Sequence, residues 1–166
     1  MEQKIIVPKK DINKLKELNL FDDEGLKHGY WEEYFDNGNL KRKGNYVNGL
    51  KNGSWEYYWK LGHLQSKGNF INSKEDGYWE IYYDNGQINF KGFYVNGVEN
   101  GYWEHYYDNG QISLKGNFVN GEKDGYWEHY SDNNVLYTKG NYKNGEKHGI
   151  WEFYNEDGTL IGTHQF

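Results

Sequence analysis

Six glutamates, each directly after a tryptophan, are the most evident candidates for chemistry in this chain. Glu32, Glu56, Glu80, Glu104, Glu128 and Glu152 follow Trp31, Trp55, Trp79, Trp103, Trp127 and Trp151. Paired carboxylates can divide the roles of general acid and general base. That division needs unlike environments, whereas these six recur in one local context. The first five have a lysine eleven residues on (Lys43, Lys67, Lys91, Lys115, Lys139), so cross-strand pairing accounts for them better than catalysis. His105 and His129 occupy equivalent places in neighbouring repeats, about 10 Å apart if each repeat advances a sheet by two strands. Zinc–nitrogen bonds are about 2.1 Å and no third ligand is evident, so packed or surface histidines are the better reading. Ser54, Ser66, Ser73, Ser113 and Ser131 offer no nucleophile–base pair, and no glycine leads into a helix that would cradle phosphate. The sequence points to no catalytic residue, no metal and no cofactor.

The positioning elements come from a period of 24, the spacing of the six tryptophans, with no insertion. A glycine stands two residues before each Trp and a tyrosine three after it. A turn such as Asp84-Asn85-Gly86 follows, then Leu or Ile, usually a Lys-Gly pair, an aromatic residue and a second turn such as Asn96-Gly97. Short aromatic and β-branched runs between such turns read as one β-hairpin per repeat. Six repeats give about twelve strands, a sheet roughly 55 Å long at the usual strand spacing.

Placing the residue two after each Trp opposite the residue eleven after it predicts the register. The pairs are Glu33/Arg42, Tyr57/Ser66, Ile81/Phe90, His105/Leu114, His129/Thr138 and Phe153/Gly162. Charge meets opposite charge and the largest ring meets glycine, as cross-strand neighbours should. In this register the first five Trp face Gly44, Gly68, Gly92, Gly116 and Gly140, which leaves room for the indole, and the first five Glu face the lysines named above. A one-residue slip would exchange the faces. One face then carries Trp, a Leu or Ile (Leu40, Leu64, Ile88, Ile112, Leu136, Leu160) and an aromatic ring (Tyr46, Phe70, Tyr94, Phe118, Tyr142, Phe166). That face is the expected core. The other carries Tyr, Glu, Lys and Asn.

Composition agrees with an all-β chain: there is no alanine among 166 residues, 22 are glycine and 19% are aromatic. The predicted fold is an elongated antiparallel β-hairpin repeat array forming a twisted, largely single-layer meander sheet. Residues 1–24 do not repeat. Asp11 can cap a short helix with Ile12, Leu15 and Leu18 on one side, expected to cover the first hairpin of the repeat domain at 25–166. A net charge of −6 with most Lys beside Glu excludes the cationic groove of a nucleic-acid binder. No cysteine means no disulfide or thiolate chemistry. The only early apolar run, Ile5-Ile6-Val7, falls short of a secretory signal or a membrane span, so a cytoplasmic location is expected.

The unit GYWEHYYDNGQISLKGNFVNGEKD, residues 101–124, resembles the bacterial variant of the MORN repeat, over about residues 25–166. The resemblance implies a β-hairpin array. It also implies a binding role, since bacterial proteins of this kind are often named antitoxins or immunity-like proteins, while other MORN repeats act as scaffolds or lipid-binding modules. Repeats two and five depart from the pattern: Trp59-Lys60-Leu61 and Ser73 in one, Ser131 and Asn134 in the other. These departures leave the fold intact and alter local turns.

Positions that vary between repeats carry what is peculiar to this protein. On the Trp face these are Glu33, Tyr57, Ile81, His105, His129 and Phe153, with Phe35, Trp59, Tyr83 and Tyr107. Accessible rings of this kind anchor protein interfaces, so the expected function is noncatalytic binding of a protein partner, by resemblance a toxin. Two alternatives are a scaffold that self-associates into a homo-oligomer and a receptor for a glycan or small ligand. The competing structural reading makes the row part of the core.

Overall fold

A computed structural model describes residues 18–166. Thirteen strands run β1 (Leu20–Phe21), β2 (Lys27–Tyr34), β3 (Leu40–Val47), β4 (Leu50–Tyr58), β5 (Leu64–Ile71), β6 (Lys74–Tyr82) and β7 (Ile88–Val95). They continue β8 (Val98–Tyr106), β9 (Ile112–Val119), β10 (Glu122–Tyr130), β11 (Leu136–Lys143), β12 (Glu146–Tyr154) and β13 (Leu160–Gln165). They form one open antiparallel sheet in chain order, and the described residues contain no helix. The helix expected from Asp11 through Leu15 lies outside the described residues. Leu18, its expected last member, instead bridges Tyr30. What covers the first repeat here is β1, whose Phe21 ring meets Trp31 edge-on at 5.1 Å.

The expected register holds in all six hairpins, down to Glu33 opposite Arg42 and Phe153 opposite Gly162. Beyond those pairs each hairpin carries a bulge, after which Tyr34 opposes Leu40 and its equivalents follow suit. Asn-Gly turns such as Asn48 (φ 49°) and Gly49 (φ 75°) close the inter-repeat hairpins. Two successive left-handed residues give the twist that a two-residue hairpin needs. Ser73 (φ 64°) and Asn134 (φ 61°) hold the same conformation where other repeats have glycine, so the departures in repeats two and five leave the turns in place.

The contacts of Trp and Glu reach one strand further than the hairpin pairing suggests. Gly44 opposes Trp31 in β2–β3, yet the ring lying on Gly44 is that of Trp55 in β4. A Cβ added at Gly44, Gly68, Gly92, Gly116 or Gly140 would fall inside the indole of the following repeat's Trp. The cause is a bulge before each of these tryptophans. In β5–β6, Lys67 opposes Glu80 and Asn69 opposes Asp76, so Gly77, Tyr78 and Trp79 lie against Gly68 alone. Gly77 has φ +82°, a conformation that favours glycine, and it turns Trp79 back over the preceding strand. Each indole N–H then donates to the carbonyl after that glycine: Trp55 to Asn45, Trp79 to Asn69, Trp103 to Phe93 and Trp127 to Asn117, all at 3.1 Å, and Trp151 to Asn141 at 3.0 Å.

The core is therefore a line. Trp31, Tyr46, Trp55, Phe70, Trp79, Tyr94, Trp103, Phe118, Trp127, Tyr142, Trp151 and Phe166 meet edge to face in sequence, 4.9–6.2 Å between centroids and 77–89° between planes. Edge-to-face pairs add about 0.5–1.5 kcal/mol each to what burial gives. Trp103, Trp127 and Trp151 are fully buried although the sheet has a single layer.

Candidate functional site

The tryptophan face presents three rows of side chains that differ from repeat to repeat. The first lies four residues before each Trp and reads Lys27, Lys51, Glu75, Glu99, Lys123, Lys147. The four lysines lie over the ladder: Lys27, Lys123 and Lys147 at 4.3, 4.4 and 4.3 Å from the Trp31, Trp127 and Trp151 rings, and Lys51 at 4.7 Å from Phe70. Burial, with Lys147 nearby, holds the Lys123 ammonium below its ordinary pKa, and burial raises that of Glu99. The row is charged Lys-Lys-Glu-Glu-Lys-Lys, with its acids at the centre.

The second row contains six of the residues expected to bind a partner, and all six are half-buried. Glu33 accepts two hydrogen bonds from Arg42 at 2.8 Å and one from Lys27 at 3.3 Å. Burial works upward on its carboxyl, but Arg42 and Lys27 prevail and hold it below the usual range. Tyr57 stacks on Trp55 at 6.0 Å and accepts from Lys51 at 2.5 Å, and burial raises its phenol. Ile81 packs on the core. His105 stacks on Phe90 at 5.4 Å, and His129 lies 6.0 Å from Trp151. Burial, then Lys123 and Lys147, lowers His129 to about 4, while burial and Lys123 lower His105. The Nε2 atoms of both histidines are buried without a hydrogen-bond partner among the described residues. Phe153 lies 5.6 Å beneath the Lys147 ammonium.

The third row, four residues after each Trp, divides into two kinds. Tyr83 donates its hydroxyl to the Tyr106 carbonyl at 2.7 Å and Tyr107 to the Tyr130 carbonyl at 2.8 Å, tying each repeat to the next. Phe35 has no hydroxyl, and the Trp59 Nε1 is buried with no partner among the described residues. Between these two rings opens a cleft of about 350 Å³, completed by Tyr57, Tyr58, Lys41, Arg42, Lys60 and Gln65. The structure thus brings Phe35, Tyr57 and Trp59 together around one concavity and spreads the other seven predicted residues along the face. The cations of the cleft were not among the expected site residues. Their signal was present: Arg42 is the chain's one arginine, and Lys60 stands where repeats one, three, four and five have aspartate.

The opposite face explains the recurrent glutamates. Lys43, Lys67, Lys91, Lys115 and Lys139 pair with Glu56, Glu80, Glu104, Glu128 and Glu152 of the following repeat at 2.6–3.2 Å. The cross-strand positions are those expected, but the ionic contact runs forward, because each lysine strand has a glutamate on both sides. Each Glu also accepts from the tyrosine two residues later, as Tyr106 to Glu104 at 2.8 Å. Burial pushes the Glu104 carboxyl up, but Lys91 and Tyr106 outweigh it and the net direction is down, while Glu104 raises Lys91. The carboxylates are thereby held as anions in a wet structural ladder. Tyr78 and Phe93 form an exposed aromatic pair here at 5.2 Å, a feature that the alternation alone did not mark. Among the described residues no group of three or more His, Asp or Glu is placed to hold a metal ion. No helix among them is long and apolar enough to cross a membrane.

A line of rings packed edge to face along the hairpins, with variable side chains presented along one face, defines an array of β-hairpin repeats built to hold a surface in place. The chain belongs to the MORN repeat variant family, whose model matches residues 27–48, 51–72, 75–96, 99–120, 123–144 and 147–166. Repeats of this family generally bind proteins or membrane lipids and are generally noncatalytic. A search of curated proteins finds no match.

Proposed function

We propose that this chain is a noncatalytic protein-binding module that engages a protein partner with its tryptophan face in the cytoplasm, as an antitoxin or immunity-like protein that neutralises that partner. The observation that carries this reading is the Trp-face surface itself, where half-buried rings alternate with charges on a rigid ladder. Such a surface loses little entropy on binding. Its aromatic residues are of the types that dominate interface energies.

The charge row favours a protein partner over the alternatives. An in-register antiparallel pair of copies stacked by this face would set Lys27 on Lys147, Lys51 on Lys123 and Glu75 on Glu99. Each contact joins like charges, which costs affinity and weighs against a face-to-face scaffold. An anionic lipid surface calls for clustered cations, and Glu75 and Glu99 interrupt them at the centre.

Affinity capture from the source cell tests the reading, using the wild-type chain and the Glu75→Lys/Glu99→Lys variant, with circular dichroism to confirm folding. One stoichiometric protein is expected with the wild type, held about tenfold less tightly by the variant. Recovery of the bare chain, or equal capture by both, would overturn it.

A further inference from the structure

We propose that the cleft between repeats one and two is a subsite for a carboxylate carried beside an apolar side chain, supplied by an acidic, aromatic-containing peptide segment of the partner; the inference deepens the protein-binding reading and rests on it. The cleft exists because repeat two departs from the others. In repeats three and four the ring of the third row is a tyrosine whose hydroxyl reaches the next repeat's backbone. In repeat two Trp59 fills that place with a larger ring and no hydroxyl, and its N–H is left without a partner among the described residues. In repeat one Phe35 cannot make the contact at all. The two rings and Tyr57 therefore wall a hollow of about 350 Å³, within the range of small-ligand sites and roomy enough for an aromatic side chain.

The side chains that line the hollow include three cations and no carboxylate. The cations are Lys41, Arg42 and Lys60, of which, among the described residues, only Arg42 is paired with a carboxylate, that of Glu33. A sugar presents hydroxyls that both donate and accept, whereas a carboxylate only accepts. A surface of cations without a carboxylate, set against aromatic walls, fits an anion joined to an apolar group. Lys60 is moreover a local reversal of sign in a chain of net charge −6. The loop that carries it is held firmly: its carbonyl accepts from Asn37 and Asn39, both at 2.9 Å. The backbone that carries Lys60 is therefore anchored to the preceding repeat.

The test follows the Trp59 indole N–H resonance and the anisotropy of a fluorescein-labelled peptide of alternating Asp and Phe. The controls are the same peptide with Asn for Asp, and inorganic phosphate. The variants Trp59→Tyr and Lys60→Asp restore residues used in other repeats, so both should fold. The Asp-Phe peptide is expected to shift the Trp59 resonance, and each variant to weaken its binding about tenfold. The Asn peptide should bind at least about tenfold more weakly, and phosphate should leave the resonance unmoved. No shift at Trp59, equal binding of the Asn peptide, unchanged affinity in the variants, or an equal response to phosphate would each overturn the proposal. Capture of a cellular partner by wild type and by Lys60→Asp alike would sink the cleft and leave the protein-binding reading standing. Peptide binding without a captured partner would do the reverse.

Discussion

The indole of Trp103 lies flat on the Cα of Gly92, a residue of the preceding repeat, and donates its N–H to the neighbouring Phe93 carbonyl at 3.1 Å. This contact joins repeat to repeat, because the ring belongs to one hairpin and its seat to another. In a repeat array such interface contacts determine whether neighbours fold together. Gly92→Ala would place a methyl group inside the indole and should destabilise the chain by about 1–3 kcal/mol. Trp103→Ala should cost about 3–5 kcal/mol. Gly162→Ala, with open space around its added methyl, should be nearly neutral. Urea denaturation of the three variants checks the order, and an equal loss at Gly92 and Gly162 would contradict it.

Glu104 serves structure, so its loss should be mild. Glu104→Gln removes the partner of Lys91, at 2.8 Å in the wild type, on a half-exposed surface. A loss under about 1 kcal/mol is expected, shrinking as salt is added, because exposed pairs are screened. Thermal melts at low and high salt measure it.

Acid should weaken the fold in two stages. The His129 imidazole is lowered from 6.5 to about 4 by burial and its lysine neighbours. The unfolded chain therefore binds more protons than the folded one between those values, and stability is full above 6.5 and falls as pH drops through that window. Below 4.5 the glutamates of the Lys ladder, also lowered in the fold, add a second loss of the same sign. The double variant His105→Phe/His129→Phe, using the residue that repeat six has at that place, should lose the first stage and keep the second. An unchanged melting profile from pH 7 to pH 4.5 would contradict this.

Trp59 should stand apart from the other tryptophans in solution. The other six indole N–H groups donate to backbone carbonyls, as Trp31 does to His28 at 3.1 Å, while Trp59 has no partner among the described residues. Its indole proton should exchange with solvent faster than those of Trp103 and Trp127. Trp59→Tyr should leave stability unchanged within about 0.5 kcal/mol or improve it, because the new hydroxyl can make the inter-repeat bond that Tyr83 makes. Exchange spectra and a melt settle both.

The period and the register were legible in the sequence because each cross-strand match is written six times. Glu33/Arg42 and Phe153/Gly162 are complementary only in one register, and that register is the one found. Which ring lies on which glycine was not legible. Gly44 opposes Trp31 on one side and Trp55 on the other, and the choice is made by the bulge and the left-handed Gly53. The same ambiguity sent each Glu–Lys contact to the following repeat. In the candidate face, the variable rows could be read off the period, but the division within them could not. Tyr83 and Phe35 occupy equivalent positions, yet only the tyrosine has a hydroxyl to spend on its neighbour, and that difference opens the cleft beside Phe35.

Hydrogen-exchange mapping of the chain with and without its captured partner tests the central claim most directly. Slowed exchange is predicted in the segments that carry the variable rows of the tryptophan face, residues 33–35, 57–60 and 81–83, with the Tyr78–Phe93 side unchanged. Protection confined to the Tyr78–Phe93 side, or none anywhere along the ladder, would contradict it.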